Sequence, residues 1–185
     1  MKKTNSETIK RTVILSVISY IVVITLILLI VRNFWMAPMK VDGKSMNPTL
    51  LNRDILLIDK SCYKDKQPQR YDMIAFQYRY DHSVRYIKRV IGLPGETVEI
   101  KDNKIYINGE ELKEYYGIYE DEKRHFDDYA ERRLKSDEYF VLGDNRDHTA
   151  DSRSGDVGPV EKDLIIGRAV FRILPLSGFG SLKNQ

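Results

Sequence analysis

The octapeptide GKSMNPTL, from Gly43 to Leu50, contains residue types that can shape a nucleophilic serine. Gly43 and Pro48 bracket Ser45, so we expect a turn here and not the middle of a helix or of a central strand. Such a turn can direct the Ser45 hydroxyl out of a sheet and leave backbone N–H groups free beside it. The alternative is an ordinary surface loop, because clusters of Gly, Ser, Asn and Pro are mostly loops.

A second stretch with chemical potential is YIKRVIGLPGE, from Tyr86 to Glu96. Adjacent residues of a strand point to opposite faces, so one of Lys88 and Arg89 is expected to face the core side. A lysine there is desolvated, and its pKa falls from about 10.4 towards neutrality. A lysine of this kind can serve as a general base. The alternative is a half-buried lysine whose ammonium group reaches water.

The third stretch is GDNRDHTADSR, from Gly143 to Arg153, and it follows an apolar run at residues 139–142. Loops this dense in Asp, Arg, Asn and hydroxyl groups are commonly hydrogen-bonded turns. They can also form a buried lattice of ion pairs that holds other side chains in place. Both interpretations remain open at this point.

Cysteine and histidine usage limits the chemistry further. Cys62 is the single cysteine, so neither an intrachain disulfide nor a cysteine-based zinc site is possible. We interpret Cys62 as structural or incidental, since nothing around it indicates a reactive thiol. The three histidines, at positions 82, 125 and 148, are scattered, and we interpret them as surface residues. We therefore expect no metal and no cofactor.

The elements that must position these stretches are mainly strands. Runs of aromatic and β-branched residues predict strands at 54–59, 71–80, 84–90, 139–142 and 164–174. Residues 98–100 and 105–107 alternate in polarity around Asp102-Asn103, which predicts a hairpin, and Asn108-Gly109 follows as a second turn. The predicted fold class is therefore mainly β.

A polar insertion at about residues 110–137 interrupts this pattern, and it is heavily charged and threaded with tyrosines. Phe126, Tyr129 and Leu134 have the spacing of a weak helical stripe. Our interpretation is a solvated insertion that decorates the core. The alternative is a flap that helps to bind a partner or substrate.

An uncharged apolar segment, residues 12–31, precedes the predicted β domain. As a helix it would span about 30 Å, the thickness of a bilayer core, so we predict a transmembrane helix. Four cations precede it, whereas Arg32 alone follows, so the positive-inside rule places residues 1–11 in the cytoplasm and residues 32–185 outside the cell membrane. The run is longer than the core of a secretory signal, and we expect an uncleaved anchor.

The charge balance argues against a nucleic-acid partner. The net charge is +3, but residues 1–32 contain five basic side chains and one acidic side chain. The basic balance thus belongs to the tail that flanks the membrane, where it suits a lipid bilayer. The remaining residues, about 150, fit a single domain, which we expect to be a monomer.

Taken together, in this order and spacing, the three stretches resemble type I signal peptidases, the membrane-anchored endopeptidases that remove signal peptides from exported proteins. The serine box is present as SMNPTL from Ser45, the lysine box as the stretch around Lys88, and the third box as GDNR from Gly143, with Asp151-Ser152-Arg153 following. The segment GRAVF from Gly167 also matches. The resemblance covers nearly the whole chain from Thr12, and the single anchor with a compact domain is similar to the Gram-positive form.

The resemblance implies that Ser45 is the nucleophile and that Lys88 is its general base. The Ser45 backbone N–H would donate to the oxyanion. Some family members supply a second donor from a serine hydroxyl two residues earlier, where this chain has Gly43. The residues with oxyanion or supporting roles are Gly43, Met46, Asp144, Arg146, Thr149, Asp151 and Arg153.

Two supporting roles are specific enough to compare with a structure. Thr149 stands where the family usually has a serine whose hydroxyl binds the lysine, and Thr keeps that hydroxyl. Asp151 would form supporting ion pairs with Arg146 and Arg153.

The implied substrates are the signal peptides of preproteins, bound as an added strand at a sheet edge, with alanine-sized residues one and three positions before the cut. A non-enzymatic relative, such as an assembly factor for surface pili, is expected to have lost the serine or the lysine, and both are present. A soluble Ser/Lys protease of the self-cleaving repressor type carries a DNA-binding segment in place of a bilayer anchor.

Overall fold

The computed structural model describes residues 2–118 and 128–182, and it begins with a long helix, α1 (Lys2–Phe34). Within α1 the stretch Lys10–Leu29 has a mean hydropathy of 2.8, and none of it is buried against the rest of the protein. Its length and composition are sufficient to cross a membrane, and it overlaps the predicted span of residues 12–31. The crossing itself remains a prediction.

The rest of the described chain is mainly strand, as the sequence predicts. The strands are β1 (Met36–Lys40), β2 (Ile55–Asp59), β3 (Met73–Tyr78), β4 (Asp81–Gly92), β5 (Thr97–Lys101), β6 (Lys104–Ile107), β7 (Glu110–Glu111), β8 (Tyr129–Arg133), β9 (Glu138–Leu142), β10 (Val160–Glu161), β11 (Ile165–Leu174) and β12 (Gly180–Ser181). Single-turn helices occur at Lys162–Leu164 and Leu176–Gly178.

The strands form two antiparallel sheets. The larger sheet has the order β1-β2-β11-β3-β4-β9-β10, and β12 pairs with β11. The smaller sheet has the order β7-β6-β5-β8. All five predicted strands and the predicted hairpin are present. The hairpin turn contains Asp102 and Asn103 with φ of 51° and 61°, which these two residue types tolerate.

One expectation within the polar insertion is wrong. Tyr129 lies in a strand, β8, which pairs with β5, and not on a helix. Its ring centroid lies 4.8 Å from that of Phe140, so packing on the second sheet determines the conformation here. Phe126, the other aromatic residue of the supposed helical stripe, lies outside the described residues.

The core consists of three clusters that connect these layers. One contains Met46 and Leu50 of the serine box together with residues of β2, β3 and β4. A second joins β4, β5, β6 and β9 across the two sheets, and a third packs β3 and β9 against Val157 and Val160. Met46 and Leu50 are 1% and 0% exposed, and burial of such a side chain is worth about 1.5–3 kcal/mol. The burial of these two side chains therefore fixes the serine box against the larger sheet.

Strand β4 has one edge that is paired with a neighbouring strand only near its end. It pairs with β3 between Asp81 and Arg89, but with β9 only through Arg89, Val90 and Gly92. Among the described strands, none pairs with the other edge of β4 before Arg89. Strand β1 likewise has a described partner, β2, on one side alone.

Candidate active site

The serine box forms a compact turn directly after β1. The Asn47 N–H donates to the Lys44 carbonyl (3.0 Å), and the Leu50 N–H donates to the Met46 carbonyl (2.8 Å). Gly43 has φ of 91°, a conformation that side chains disfavour, and its N–H donates to Asn52 Oδ1 (3.1 Å). Met46 is buried, whereas Ser45 beside it is half-buried.

Lys88 meets this hydroxyl from the middle of β4. Lys88 is 2% exposed, and its Nζ donates to Ser45 Oγ at 2.7 Å. The Tyr86 ring lies beneath the amine, 5.5 Å from Nζ to the ring centroid. The structure thus brings together the two residues that the sequence analysis selected, although 43 positions separate them.

Burial lowers the pKa of Lys88 from its ordinary value to about 8, because an ammonium group loses its hydration here. The carboxylates of Asp151 and Asp144 oppose this effect, since they stabilise the charged form. Both carboxylates are themselves engaged by guanidinium groups, as described below, and desolvation prevails.

Asp144 of the third box forms a buried pair with Arg89. The Arg89 Nε donates to Asp144 Oδ1 at 2.8 Å and Nη2 donates to Oδ2 at 2.6 Å, with both side chains 1% exposed. Thr49 Oγ1 donates to Asp144 Oδ2 (2.6 Å), which ties the serine box to the same carboxylate. The Arg89 guanidinium carbon lies 3.8 Å from the centroid of the Tyr116 ring.

The sequence analysis missed this pair. It placed Lys88 and Arg89 on opposite faces, and the structure agrees, but both faces of β4 are covered at this point. Tyr116, from the polar insertion, covers the second face, so Arg89 is as buried as Lys88. No local signal indicates this, because the covering residue is remote in sequence.

Asp151 pairs with Arg153, one of the two arginines that the sequence analysis proposed, whereas the other, Arg146, pairs with Glu114. The Arg153 Nε donates to Asp151 Oδ1 and its Nη2 donates to Oδ2, each at 2.9 Å. The Gly143 N–H also donates to Asp151 Oδ2 (3.2 Å). The two hydrogen bonds from the Arg153 guanidinium compensate the negative charge of the Asp151 carboxylate, which lies near Lys88.

Arg146 has a partner that the sequence did not indicate. Its Nη2 donates to Glu114 Oε2 at 2.7 Å, and its Nε donates to the Gly143 carbonyl at 3.0 Å. Arg146 is 2% exposed, and Glu114 lies at the start of the polar insertion. Glu114 stands in a run of charged residues, so its selection from sequence had no basis.

Thr149 differs from its expected role. Its Oγ1 is buried and has no hydrogen-bond partner among the described residues, so the expected bond to Lys88 is not formed in this structure. The hydroxyl is turned towards Gly143, where a Cβ would overlap both Thr149 and the Ser45 carbonyl. Glycine is therefore required at position 143.

A cleft of about 50 Å³ opens beside Ser45 and Lys88. It lies between the end of β1 with the turn after it and the open half of β4. Its lining residues are Met39, Lys40, Val41, Asp42, Ser45, Met46, Arg85, Tyr86, Ile87 and Lys88. No described residue accepts a hydrogen bond from the Ser45 N–H, while its carbonyl accepts from the Asn145 N–H (3.1 Å).

Cys62 lies apart from this cleft. It lines a separate cavity of about 390 Å³ beside Asp59, Asp72 and Arg168. Burial raises the pKa of its thiol, and the thiol donates to the Asp59 carbonyl (3.1 Å). Among the described residues, no group of three or more His, Cys, Asp or Glu side chains could hold a metal ion.

Comparison with known proteins identifies the class as a peptidase. A family model described as signal peptidase, peptidase S26, matches residues 14–174. A signal peptidase I P of Bacillus subtilis subsp. natto is 38% identical over 88% of this chain and 90% of that protein. Signal peptidase I S of Bacillus subtilis strain 168 is 36% identical over 91% and 93% of the two chains.

A crystal structure of a signal peptidase I from Enterococcus faecalis is 36% identical, with a TM-score of 0.48 over 56% of this chain and 97% of that chain. Our chain belongs to the peptidase S26 family of signal peptidases, as the extent of the family match and of the relatives shows.

Proposed function

We propose that this chain is a membrane-anchored type I signal peptidase that cleaves preproteins after Ala-x-Ala-like sites, with Ser45 as nucleophile and Lys88 as general base. The observation that carries the proposal is the 2.7 Å contact between Lys88 Nζ and Ser45 Oγ in an otherwise buried setting. The family membership supports the substrate class, because the relatives are named as signal peptidases.

In the proposed mechanism a neutral Lys88 amine accepts the proton of the Ser45 hydroxyl as Oγ attacks the scissile carbonyl carbon. The Ser45 N–H, which has no other acceptor among the described residues, donates to the developing oxyanion. The Lys88 ammonium then protonates the leaving amine of the mature protein. The ester that remains on Ser45 is hydrolysed by a water molecule that Lys88 deprotonates, and Oγ recovers its proton.

The surroundings of Lys88 lower its pKa enough for part of the amine to be neutral near pH 7. With a pKa of about 8, roughly a tenth of the amine is neutral at pH 7. Arg89 on Asp144 and Arg153 on Asp151 limit how strongly these carboxylates stabilise the ammonium form. The proposal assigns no second oxyanion donor to Gly43, because its N–H donates to Asn52 Oδ1.

The geometry of the cleft supports an extended substrate with small side chains. A peptide between the open edges of β1 and β4 would gain backbone hydrogen bonds as an added strand. Alternate side chains of a strand face the same side, so residues one and three positions before the cut would both face the sheet. A cleft of about 50 Å³ has room for groups the size of a methyl, in keeping with alanine.

The anchor in this proposal is α1, with residues 1–11 in the cytoplasm and residues 32–185 outside. The Lys60 N–H donates to the Trp35 carbonyl at 2.8 Å, so the sheet begins immediately where the helix ends. A monomer of this form would meet signal peptides that are still lodged in the bilayer. Lipid is then a partner, and no feature calls for nucleic acid.

The test uses the detergent-solubilised full chain and a preprotein whose signal ends in Ala-x-Ala. We expect cleavage directly after the second alanine, no cleavage by Ser45→Ala, and loss of cleavage when phenylalanine replaces that alanine. If the wild-type protein leaves the preprotein intact, or if Ser45→Ala cleaves it, the proposal is wrong. A preprotein with phenylalanine at the middle position serves as the matched control and is expected to be cut.

A further inference from the structure

Residues 114–118, here called the clasp segment, lie directly against the third box. Ile118 forms an isolated parallel bridge with Asn145. The Ile118 N–H donates to the Asp144 carbonyl (2.9 Å), and the Arg146 N–H donates to the Ile118 carbonyl (3.0 Å). A piece of the polar insertion is thus hydrogen-bonded to the loop that carries the supporting residues.

The side chains of the clasp segment cover two buried arginines. Glu114 neutralises Arg146, whose side chain is 1% exposed, and the Tyr116 ring lies on Arg89. At Gly117 the backbone passes so close that a Cβ would lie 2.5 Å from the Arg146 guanidinium carbon. Such a distance requires something to shift, so position 117 tolerates glycine alone without rearrangement.

The loop held by the clasp segment contacts the catalytic pair on its other side. The Asn145 N–H donates to the Ser45 carbonyl (3.1 Å). Asp144, whose carbonyl binds Ile118, also accepts from Thr49 and Arg89 through its carboxylate. One loop therefore connects the polar insertion to the serine box.

We propose that the clasp segment is a positioning element of the active site, in which Glu114 and Gly117 hold the loop of residues 143–146 so that Ser45 and Lys88 stay in contact and shielded from water. The inference rests on the proposed function in that Ser45 and Lys88 are taken as nucleophile and base. It assigns part of the polar insertion to the catalytic apparatus, where composition alone indicates a solvated decoration.

Loosening the loop has a defined effect on Lys88. The groups that face the amine are the Ser45 hydroxyl, the Tyr86 ring and the carboxylates of Asp144 and Asp151. Desolvation is the largest influence on the pKa of Lys88 and lowers it. Entry of water therefore raises that pKa towards its ordinary value, and the acid limb of the rate profile moves to higher pH.

The experiment compares two variants of the full chain in detergent with two matched controls. Glu114→Gln removes the charge that neutralises Arg146. Its control is Glu111→Gln, three positions earlier in the sequence, which removes a charge from the exposed ion pair between Glu111 and Lys104. Gly117→Ala adds a methyl group against Arg146, and Gly155→Ala adds one where no atom lies within 4 Å. Gly117→Ala changes no charge, so any shift that it causes comes from geometry.

We expect both clasp variants to lose about tenfold or more in kcat/KM at pH 7, mainly in kcat, with the acid limb displaced upwards and much of the loss recovered at high pH. Both controls should stay within about twofold of wild type. A uniform loss at every pH, or a loss no larger than in the controls, would overturn the proposal, since a merely structural role lowers activity without moving the limb. Thermal unfolding establishes that each variant is folded.

A second measurement does not depend on cleavage. Acetylation of Lys88 by acetic anhydride is measured by mass spectrometry over a pH series, and the rate extrapolated to the fully neutral amine reports access to the side chain in each variant. We expect about tenfold faster labelling in the clasp variants than in their controls. If the wild-type chain cleaves no preprotein but labelling responds in this way, the proposed function is wrong, whereas the proposed shielding of Lys88 by the clasp segment is supported. Equal labelling rates in all variants would show that the clasp segment does not shield Lys88.

Discussion

At the scale of single residues, the proposed mechanism depends on the Ser45 hydroxyl group. In that mechanism Ser45→Ala removes the atom that would form the acyl-enzyme, so we expect the cleavage rate to fall by at least about three orders of magnitude. The rate is measured with a preprotein substrate, and the melting temperature establishes that the variant is folded. Cys62→Ala and an added chelator should leave the rate unchanged. Strong inhibition by either treatment would indicate a thiol or metal mechanism instead.

The second residue-scale prediction concerns pH. Lys88 must be neutral to act as a base, and its folded pKa is lowered to about 8, so protonation as the pH falls through this value removes activity. We expect kcat/KM of the free enzyme to rise with pH along a limb with a midpoint near that value. Lys88→Arg should be inactive at every pH tested, since a guanidinium group does not deprotonate there. Substantial activity of Lys88→Arg would exclude Lys88 as the base.

The third prediction concerns the buried pair of Arg89 and Asp144 beside Lys88. Arg89→Lys keeps the charge but removes the bidentate geometry on Asp144 and the stacking on Tyr116. We expect the free energy of unfolding to fall by about 2 kcal/mol, measured by urea denaturation. The matched control is Arg132→Lys, in a pair whose arginine is 45% exposed, where the change should be below about 0.5 kcal/mol. Equal stability of the two variants would contradict this account.

These residues also show what the sequence could and could not predict. The contact between Ser45 and Lys88 was predictable because their two stretches together resemble boxes of one family, whereas each stretch alone left an alternative open. The burial of Arg89 on its own face of the strand was not predicted, and Glu114 was not considered, because their partners come from remote segments. The direction of the Thr149 hydroxyl depends on a side-chain rotamer beside Gly143, which no spacing rule determines.

At the scale of elements, the open edge of β4 yields a prediction about the substrate. If the substrate binds as an added strand, its own backbone N–H groups donate to the sheet. We expect N-methylation at one or more of the four residues before the cut to reduce kcat/KM by about tenfold or more, because the methyl group removes a donor and obstructs the pairing. The measurement is a scan of singly N-methylated peptides, and methylation far from the cut is the control. A scan without any sensitive position would argue against strand addition.

The elements themselves were largely predictable, since alternation and turn residues act locally. The hairpin of β5 and β6 follows from Asp102-Asn103, which accept positive φ. Strand β8 was not predictable, because Tyr129 has the spacing of a weak helical stripe and is fixed as a strand by β5 and Phe140. The pairing partners along the larger sheet, such as β2 beside β11, depend on contacts more than 100 positions apart.

At the scale of the whole molecule, the orientation in the membrane gives the last prediction. The positive-inside rule predicts that the cations before the apolar span keep the N-terminus inside. Protease added to right-side-out vesicles should therefore digest the domain after α1 and spare the tail of residues 1–11. Antibodies against tags at the two ends report the two outcomes, and permeabilised vesicles provide the control in which both ends are lost. A domain that is protected in sealed vesicles would mean the opposite orientation.

The open half of β4 also matters when no substrate is present. An unpaired strand edge is a template on which any extended chain, including a second copy of this protein, can add itself. The residues that flank the cleft on the two edges are charged and exposed, among them Lys40, Asp42, Asp81 and Arg85. Charged side chains at such positions disfavour edge-to-edge pairing between two copies in one membrane. A neutral, alanine-rich peptide has no charged side chains, so its pairing with the edge is not disfavoured in this way. Under the proposed function, the same edge would bind a signal peptide and disfavour pairing with a second copy of this chain.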